Sequence, residues 1–314
     1  MKKKEMTFAC YENFKCKAEK CTHNCCLNWE IDIDKRTLKK YADYAKKKGG
    51  FSDRIRAGVD FENSRFIMRE NGGESRCFFL GDDNLCEIIK NLGEKYLCQV
   101  CRDHPRFKNF IGKTVECGIG LCCEEGAHML ICGDVEMIPV KTDGESVAEN
   151  ITDREKKILN FRDSILRIAA FPARLDECIK NILGFCGVDE NRFYASDFKK
   201  LFSRMETLIP ERKATFMKTD VVRINADKET EKRLKRLLNY FIYRHLPRAV
   251  DNIDLKTRTL FAVLSVSEIF SLYQAAKDKT VENFIEIARE YSEETEYSDD
   301  NYGIILDFLD GFSV

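Results

Sequence analysis

Thirteen of the chain's fifteen cysteines fall within its first 132 residues. A local density of about one in ten marks a segment held by disulfides or metal. The opening MKKKEMTFAC carries no apolar targeting segment, which predicts a cytoplasmic protein. Disulfides are rare in such a reducing compartment, so the thiols are expected to serve as metal ligands, catalytic groups or buried small hydrophobes. The longest apolar stretch, around Leu260 to Tyr273, is broken by Ser265, Ser267 and Glu268. It falls short of the roughly 20 residues of a membrane span, and no membrane partner is expected. With 52 Lys and Arg against 53 Asp and Glu, the chain also lacks the basic surplus of a nucleic-acid binder.

A length of 314 residues with 44% hydrophobic content predicts about two domains with a real core. Composition changes at the polar segment from Pro139 to Asn150, so residues 1–140 are expected to form a cysteine-rich metal domain and residues 141–314 a helical domain. The fold class is mainly α, with an irregular cysteine-rich N-terminal domain followed by a helical C-terminal one. In the first part, Asp34 is placed to cap a helix through Leu38 and Tyr41, and Leu85 to Leu92 forms a second helix ending at Gly93. Phe51 to Gly73 shows no clean period. Residues 107–121 read as short strands separated by Gly112 and Gly118. Beyond the boundary, Thr152 and Glu155 form a capping-box pattern. Helical stripes continue through Ile179, Leu201, Leu237, Leu264, Phe284 and Ile305.

The densest cysteine run is Cys16, Cys21, Cys25 and Cys26, followed by Cys77, Cys86, Cys98, Cys101, Cys117, Cys122, Cys123 and Cys132. Soft thiolates in groups of four hold zinc or iron–sulfur clusters. Binding such a group also organises a segment poor in regular structure. Of the recognised spacings only Cys98-x-x-Cys101 is a CxxC knuckle. Asn28 stands where the CxxxCxxC run of radical adenosylmethionine enzymes would place its third cysteine. Spacing therefore leaves zinc and iron–sulfur open. Cys10, Cys132, Cys178 and Cys186 read as free buried cysteines or isolated reactive thiols.

The stretch from Tyr11 to Tyr41 resembles the opening of the flagellin lysine N-methylase family. The matching residues are Phe14, Cys16, Cys21, Cys25, Cys26, Trp29, Ile31, Ile33, Asp34, Thr37 and Tyr41. Later blocks fit at Cys77, Phe79, Leu80, Leu85, Cys86 and Ile88, and again at Leu92, Gly93, Glu94, Cys101, Arg102, Pro105 and Arg106. A last block fits at Glu116, Leu121, Cys123 and Glu125. Cys122, His104 and Tyr297 depart from the family pattern. The resemblance implies a metal-ligand pool of Cys16, Cys21, Cys25, Cys26, Cys77, Cys86, Cys101 and Cys123 for a 4Fe–4S cluster, with zinc as the alternative. It also implies S-adenosylmethionine as methyl donor and flagellin as protein substrate. Trp29 is expected to shield the metal site from water. A non-catalytic iron- or zinc-binding or redox-sensing module is the competing reading.

Methyl transfer to lysine needs a neutral amine, and removing the proton at pH 7 costs roughly 4–5 kcal/mol. A desolvated site or a nearby base must offset that cost. Glu94, Glu116 and Glu125 lie inside the motifs and are the candidate catalytic carboxylates. Arg102 and Arg106 are the candidates for pairing with carboxylates of cofactor or substrate, or else structural salt bridges. The acidic stretch of Glu290, Glu293, Glu294, Glu296, Asp299 and Asp300 reads as a solvated helix end, with attraction of a basic substrate face as the alternative.

Overall fold

The structure is a computed structural model that describes residues 4–71, 74–133, 135–139 and 151–312. It is mainly α. Two compact units divide it: residues 15–106, and residues 1–14 with 107–314. The division falls at 14/15 and 106/107 rather than at 140/141, and strand pairing is the reason. Lys4–Phe8 pairs in parallel with Thr114–Ile119 and antiparallel with Met137–Pro139. Arg106–Ile111 completes a four-stranded sheet on the far side of Thr114–Ile119. A central strand needs hydrogen-bond partners on both edges, so the N-terminal strand belongs with the helical unit. Of the polar segment at the expected boundary, residues 140–150 lie outside the described residues.

Gly112 turns the chain between the two strands as expected, with φ at 56°. Gly118 does not separate strands; it sits inside Thr114–Ile119. A Cβ there would come within 2.3 Å of the Phe107 ring and 2.6 Å of the Phe8 ring, so glycine is what lets two aromatics close over the strand.

The predicted helices of this unit form. Thr152 and Glu155 make a reciprocal capping box at the start of Asp153–Ala169. Asp197, Asp227, Asp251, Thr280 and Ser298 each cap a later helix through a side-chain oxygen. The 24-residue helix Asn252–Ala275 is buried all round over most of its length, the pattern of a core helix. Thr259, Ser265 and Ser271 satisfy their hydroxyls on the carbonyls of Leu255, Phe261 and Ser267. Among the described residues no helix is long and apolar enough to cross a membrane.

The cysteine-rich unit has a small core of its own, built on Ile31, Ile33, Tyr41, Ile55, Phe66, Phe79 and Ile88. Phe51 to Gly58, which shows no period in the sequence, is a helix. It packs its short apolar face, chiefly Ile55, against Phe79 and its neighbours. Two short hairpins follow, Val59–Asp60 with Arg65–Phe66 and Met68–Asn71 with Glu74–Cys77.

Candidate metal centre

Four asparagine and aspartate side chains fix the loops that carry the cysteines. Asn24 accepts the Cys26 backbone N–H at 2.9 Å, an Asx turn that shapes the Cys25-Cys26 corner. Asn28 has φ at 61°, a left-handed conformation that asparagine tolerates. Its backbone N–H reaches the Ser75 carbonyl at 2.6 Å, and its side chain accepts from the Ser75 N–H at 3.0 Å. The Cys77 N–H then bonds the Cys26 carbonyl at 2.8 Å. Asn84, also left-handed, donates to the Cys21 carbonyl at 2.9 Å and receives Asn24. Asn28, which breaks the CxxxCxxC spacing, is thus the residue that ties the first cysteine loop to the hairpin bearing Cys77.

Asp34 plays two parts. One oxygen caps the helix Lys35–Ala45 through the Thr37 N–H, and the other accepts the Gln99 N–H at 2.8 Å. Burial pushes this carboxyl up, but the Gln99 and Thr37 N–H groups outweigh it and hold it below the usual range. Asp34 therefore anchors the start of the short helix Gln99–Asp103, whose N-cap is Cys98. Cys86 is likewise the N-cap of Glu87–Leu92.

Six thiols come together on this frame. Cys26 hydrogen-bonds to both Cys25 and Cys77. Cys98 and Cys101 form a second pair, Sγ to Sγ at 3.3 Å. The groups are close enough for Cys101 to respond to charge on Cys77 and Cys25, and Cys86 to Cys77 and Cys25. Within each pair the proton is shared unequally. Hydrogen bonding among the three lowers Cys25 and Cys77 below the usual thiol range and raises Cys26. The hydrogen bond between Cys98 and Cys101 likewise lowers Cys98 and raises Cys101. Burial raises Cys86. Tyr41, whose hydroxyl donates to the Tyr96 carbonyl at 2.5 Å, is pushed up by burial beside these thiols.

Five of the eight cysteines in the expected ligand pool, Cys25, Cys26, Cys77, Cys86 and Cys101, belong to this group. Cys98 belongs to it as well and was absent from the pool, although its CxxC spacing to Cys101 was the signal. Cys16 and Cys21 make local contacts, Cys16 with the Ala18 N–H and Cys21 with the His23 carbonyl. Cys123 lies in the helical unit as the N-cap of Glu124–Cys132. Trp29 is half-buried against the core of the cysteine-rich unit and meets the His104 ring edge-on at 6.2 Å.

Among the described residues no three Cys, His, Asp or Glu side chains are arranged to hold a metal ion outright. The donor chemistry nonetheless fits a thiolate-held group. Six soft donors share one small region, and hydrogen bonding already favours the thiolate at three of them.

The other candidates scatter. Glu94 is exposed at the start of a 3-10 turn, and Arg102 donates to Gln99 at 2.8 Å, both in the cysteine-rich unit. Arg106 is exposed at the start of its strand. Glu116 and Glu125 lie in the helical unit. Glu116 is buried in a bidentate pair with Arg162 at 2.7 and 2.8 Å. Glu125 is half-buried in the first turn of Glu124–Cys132.

The helical unit also holds a polar network with no counterpart in the sequence reading. Glu296, expected to be solvated, is completely buried. It accepts from His245 Nε2 at 2.6 Å, Ser292 at 2.5 Å and Tyr240, and pairs with Arg244 at 3.1 Å. Burial alone would raise Glu296; the Arg244 charge and the His245 N–H hold it low. Arg244 also donates to the hydroxyls of Tyr240 and Tyr297, and Tyr297 hydrogen-bonds Cys122. Glu294, the second buried acid of that stretch, pairs with Arg212 at 2.8 Å.

The chain is similar to three curated proteins. It is 31% identical over 122 residues to the flagellar biosynthetic protein FliU of Salmonella muenchen, a match covering 36% of this chain and 68% of that protein. It is 30% identical over 122 residues to a lysine-N-methylase of Salmonella choleraesuis strain SC-B67, covering 36% of this chain and 29% of the relative. A lysine-N-methylase of Salmonella typhimurium matches at 30% over 121 residues, 36% of this chain and 28% of the relative. The chain thus spans about two thirds of FliU and less than a third of either lysine-N-methylase. No protein-family profile and no solved structure matches it.

Proposed function

The chain belongs to the flagellin lysine N-methylase family, and on that premise we propose that it is a protein-lysine N-methyltransferase, with S-adenosylmethionine as donor and flagellin lysines as acceptors. The observation that carries this reading is the likeness to two proteins named lysine-N-methylase. In the reaction the lysine nitrogen forms a bond to the methyl carbon as the carbon–sulfonium bond breaks, leaving S-adenosylhomocysteine. The ammonium proton must leave first, to a carboxylate or to water.

Of the three candidate carboxylates, Glu116 is committed to Arg162. Glu94 and Glu125 are the positions to which the base role falls. A 4Fe–4S cluster bound at the thiol group would supply a rigid, thiolate-held anchor for a segment with little regular structure. Cys25, Cys26, Cys77, Cys86, Cys98 and Cys101 are the residues that would hold it. Asn24, Asn28, Asn84 and Asp34 keep their loops in register. Catalysis in the cytoplasm, before the flagellin leaves the cell, completes the reading.

The pairing of thiols also favours a second reading. Cys98 and Cys101 at 3.3 Å would close to a disulfide on losing two electrons and two protons to an oxidant such as a peroxide, which suits a redox-sensing module without methyl transfer. Calorimetry on anaerobically prepared, metal-replete protein separates the two. The methyltransferase reading expects saturable binding of S-adenosylmethionine. Absence of binding, with and without flagellin, favours the sensing module.

A further inference from the structure

The helical unit contains a recess of about 220 Å³ between three helices, Pro210–Lys218, Asn252–Ala275 and Val281–Thr295. Its two kinds of wall suit different parts of one ligand. Phe216, Leu272, Ile287 and Tyr291 supply an apolar lining. The Phe216 and Tyr291 rings meet edge-on with centroids 6.1 Å apart. Arg212, Thr215, Asn283 and Glu290 supply the polar lining.

The charge on that polar side is negative. The Arg212 guanidinium is already engaged by Glu293 and Glu294 at 2.8 Å and by Glu290 at 3.3 Å. Arg289 is engaged by Glu286 and Glu293. Two cations therefore face four carboxylates. Burial raises the pKa of Glu294, and even with that group neutral the balance stays negative. Glu290 holds Arg212 by the longest of these contacts and keeps 37% of its side chain exposed. A carboxylate has about four acceptor sites, so Glu290 retains capacity for another donor.

An anionic ligand would meet this excess charge. A flexible aliphatic stem ending in an ammonium fits both walls. Its methylenes lie against apolar side chains, and its charge meets a carboxylate. We propose that this recess receives a lysine side chain of a protein partner, with Glu290 accepting the ammonium and the half-buried Ile287 lying against the stem. That the partner is the methyl acceptor rests on the function proposed above; the binding itself does not.

The test uses the whole chain, saturation-transfer NMR and three probes at millimolar concentration: Nα-acetyl-lysine amide, the norleucine analogue with the same stem and no charge, and the glutamate analogue. The lysine probe should bind best. Glu290→Gln should weaken it about tenfold or more, the size of one charge-assisted hydrogen bond, and Ile287→Trp should block it. Because Glu290 is partly exposed, its substitution leaves the fold intact, and circular dichroism checks both variants. No lysine binding, stronger binding of the glutamate analogue, or lysine binding unchanged in Glu290→Gln would overturn the proposal. Lysine binding that depends on Glu290, without methyl transfer to flagellin, leaves the recess standing and removes the methylase reading. Methyl transfer unaffected by Glu290→Gln overturns the assignment of the methyl acceptor to this recess.

Discussion

The Sγ atoms of Cys98 and Cys101 lie 3.3 Å apart, one at the N-cap and one in the first turn of the same short helix. Residues three apart share a helix face, so this local geometry alone pairs the thiols. Asp34 then fixes the helix start through the Gln99 N–H. Cys98 should therefore matter to metal binding as much as Cys101. Cys98→Ser and Cys101→Ser are each expected to lose most of the iron or zinc of anaerobically purified protein, while Cys178→Ala in the helical unit keeps it. Elemental analysis decides, and parental metal content in Cys98→Ser would remove Cys98 from the donor set.

Glu116 and Arg162 are nearly inaccessible, with side-chain exposures of 5% and 7%. Removing one partner strands a buried charge. Arg162→Ala should cost about 3–5 kcal/mol in a urea titration. Replacing the pair together, Glu116→Leu with Arg162→Met, should recover much of that loss. A double variant no more stable than Arg162→Ala would show that the pair contributes more than mutual compensation.

His245 gives stability a defined pH dependence. Its Nε2 donates to Glu296, so Nδ1 is the acceptor for the Tyr302 hydroxyl at 3.0 Å, and the ring is neutral. Burial pushes its pKa down from 6.5 to about 4 despite the favourable Glu296. Between those values the unfolded chain binds a proton that the folded chain does not. The His245 contribution to stability is therefore complete above pH 6.5 and falls as the pH drops toward 4. The lowered Glu296 adds loss of the same sign at the acid end. Urea titrations of parent and His245→Gln across this range should show a shallower slope in the variant; identical slopes would contradict the assignment.

Glu268 works in the opposite direction. It is completely buried on Asn252–Ala275, and among the described residues neither carboxyl oxygen has a hydrogen-bond partner. Burial raises its pKa well above 4.5. The folded state thus keeps a proton that the unfolded state releases, and stability declines as pH rises through that window. Glu268→Leu should raise the unfolding free energy by about 1–3 kcal/mol at neutral pH, and by less near pH 4. A gain independent of pH would mean that packing rather than ionisation is responsible.

Local patterns were legible in the sequence wherever the partners are near in the chain. Asp34 with Thr37, and Thr152 with Glu155, announce helix starts because cap and N–H are three residues apart. The CxxC pair is legible for the same reason. Lys4–Phe8 was not, because its strand partners lie some 110 residues later. Nor was the burial of Glu296, whose partners His245 and Tyr240 are 51 and 56 residues away. A run of acidic residues looks solvated until tertiary structure supplies the arginines. Gly118 read as a break because nothing local reveals that two aromatic rings occupy the space of its side chain.

The central claim is methyl transfer, and mass spectrometry of flagellin measures it directly. Metal-replete protein is incubated anaerobically with S-adenosylmethionine carrying a deuterated methyl group, and the flagellin is then digested and mapped. Deuterated methyl groups on lysine nitrogens, appearing faster as pH rises through the deprotonation of the bound amine, are the predicted result. Folded, metal-replete protein that leaves every lysine of its cognate flagellin unmodified would contradict it.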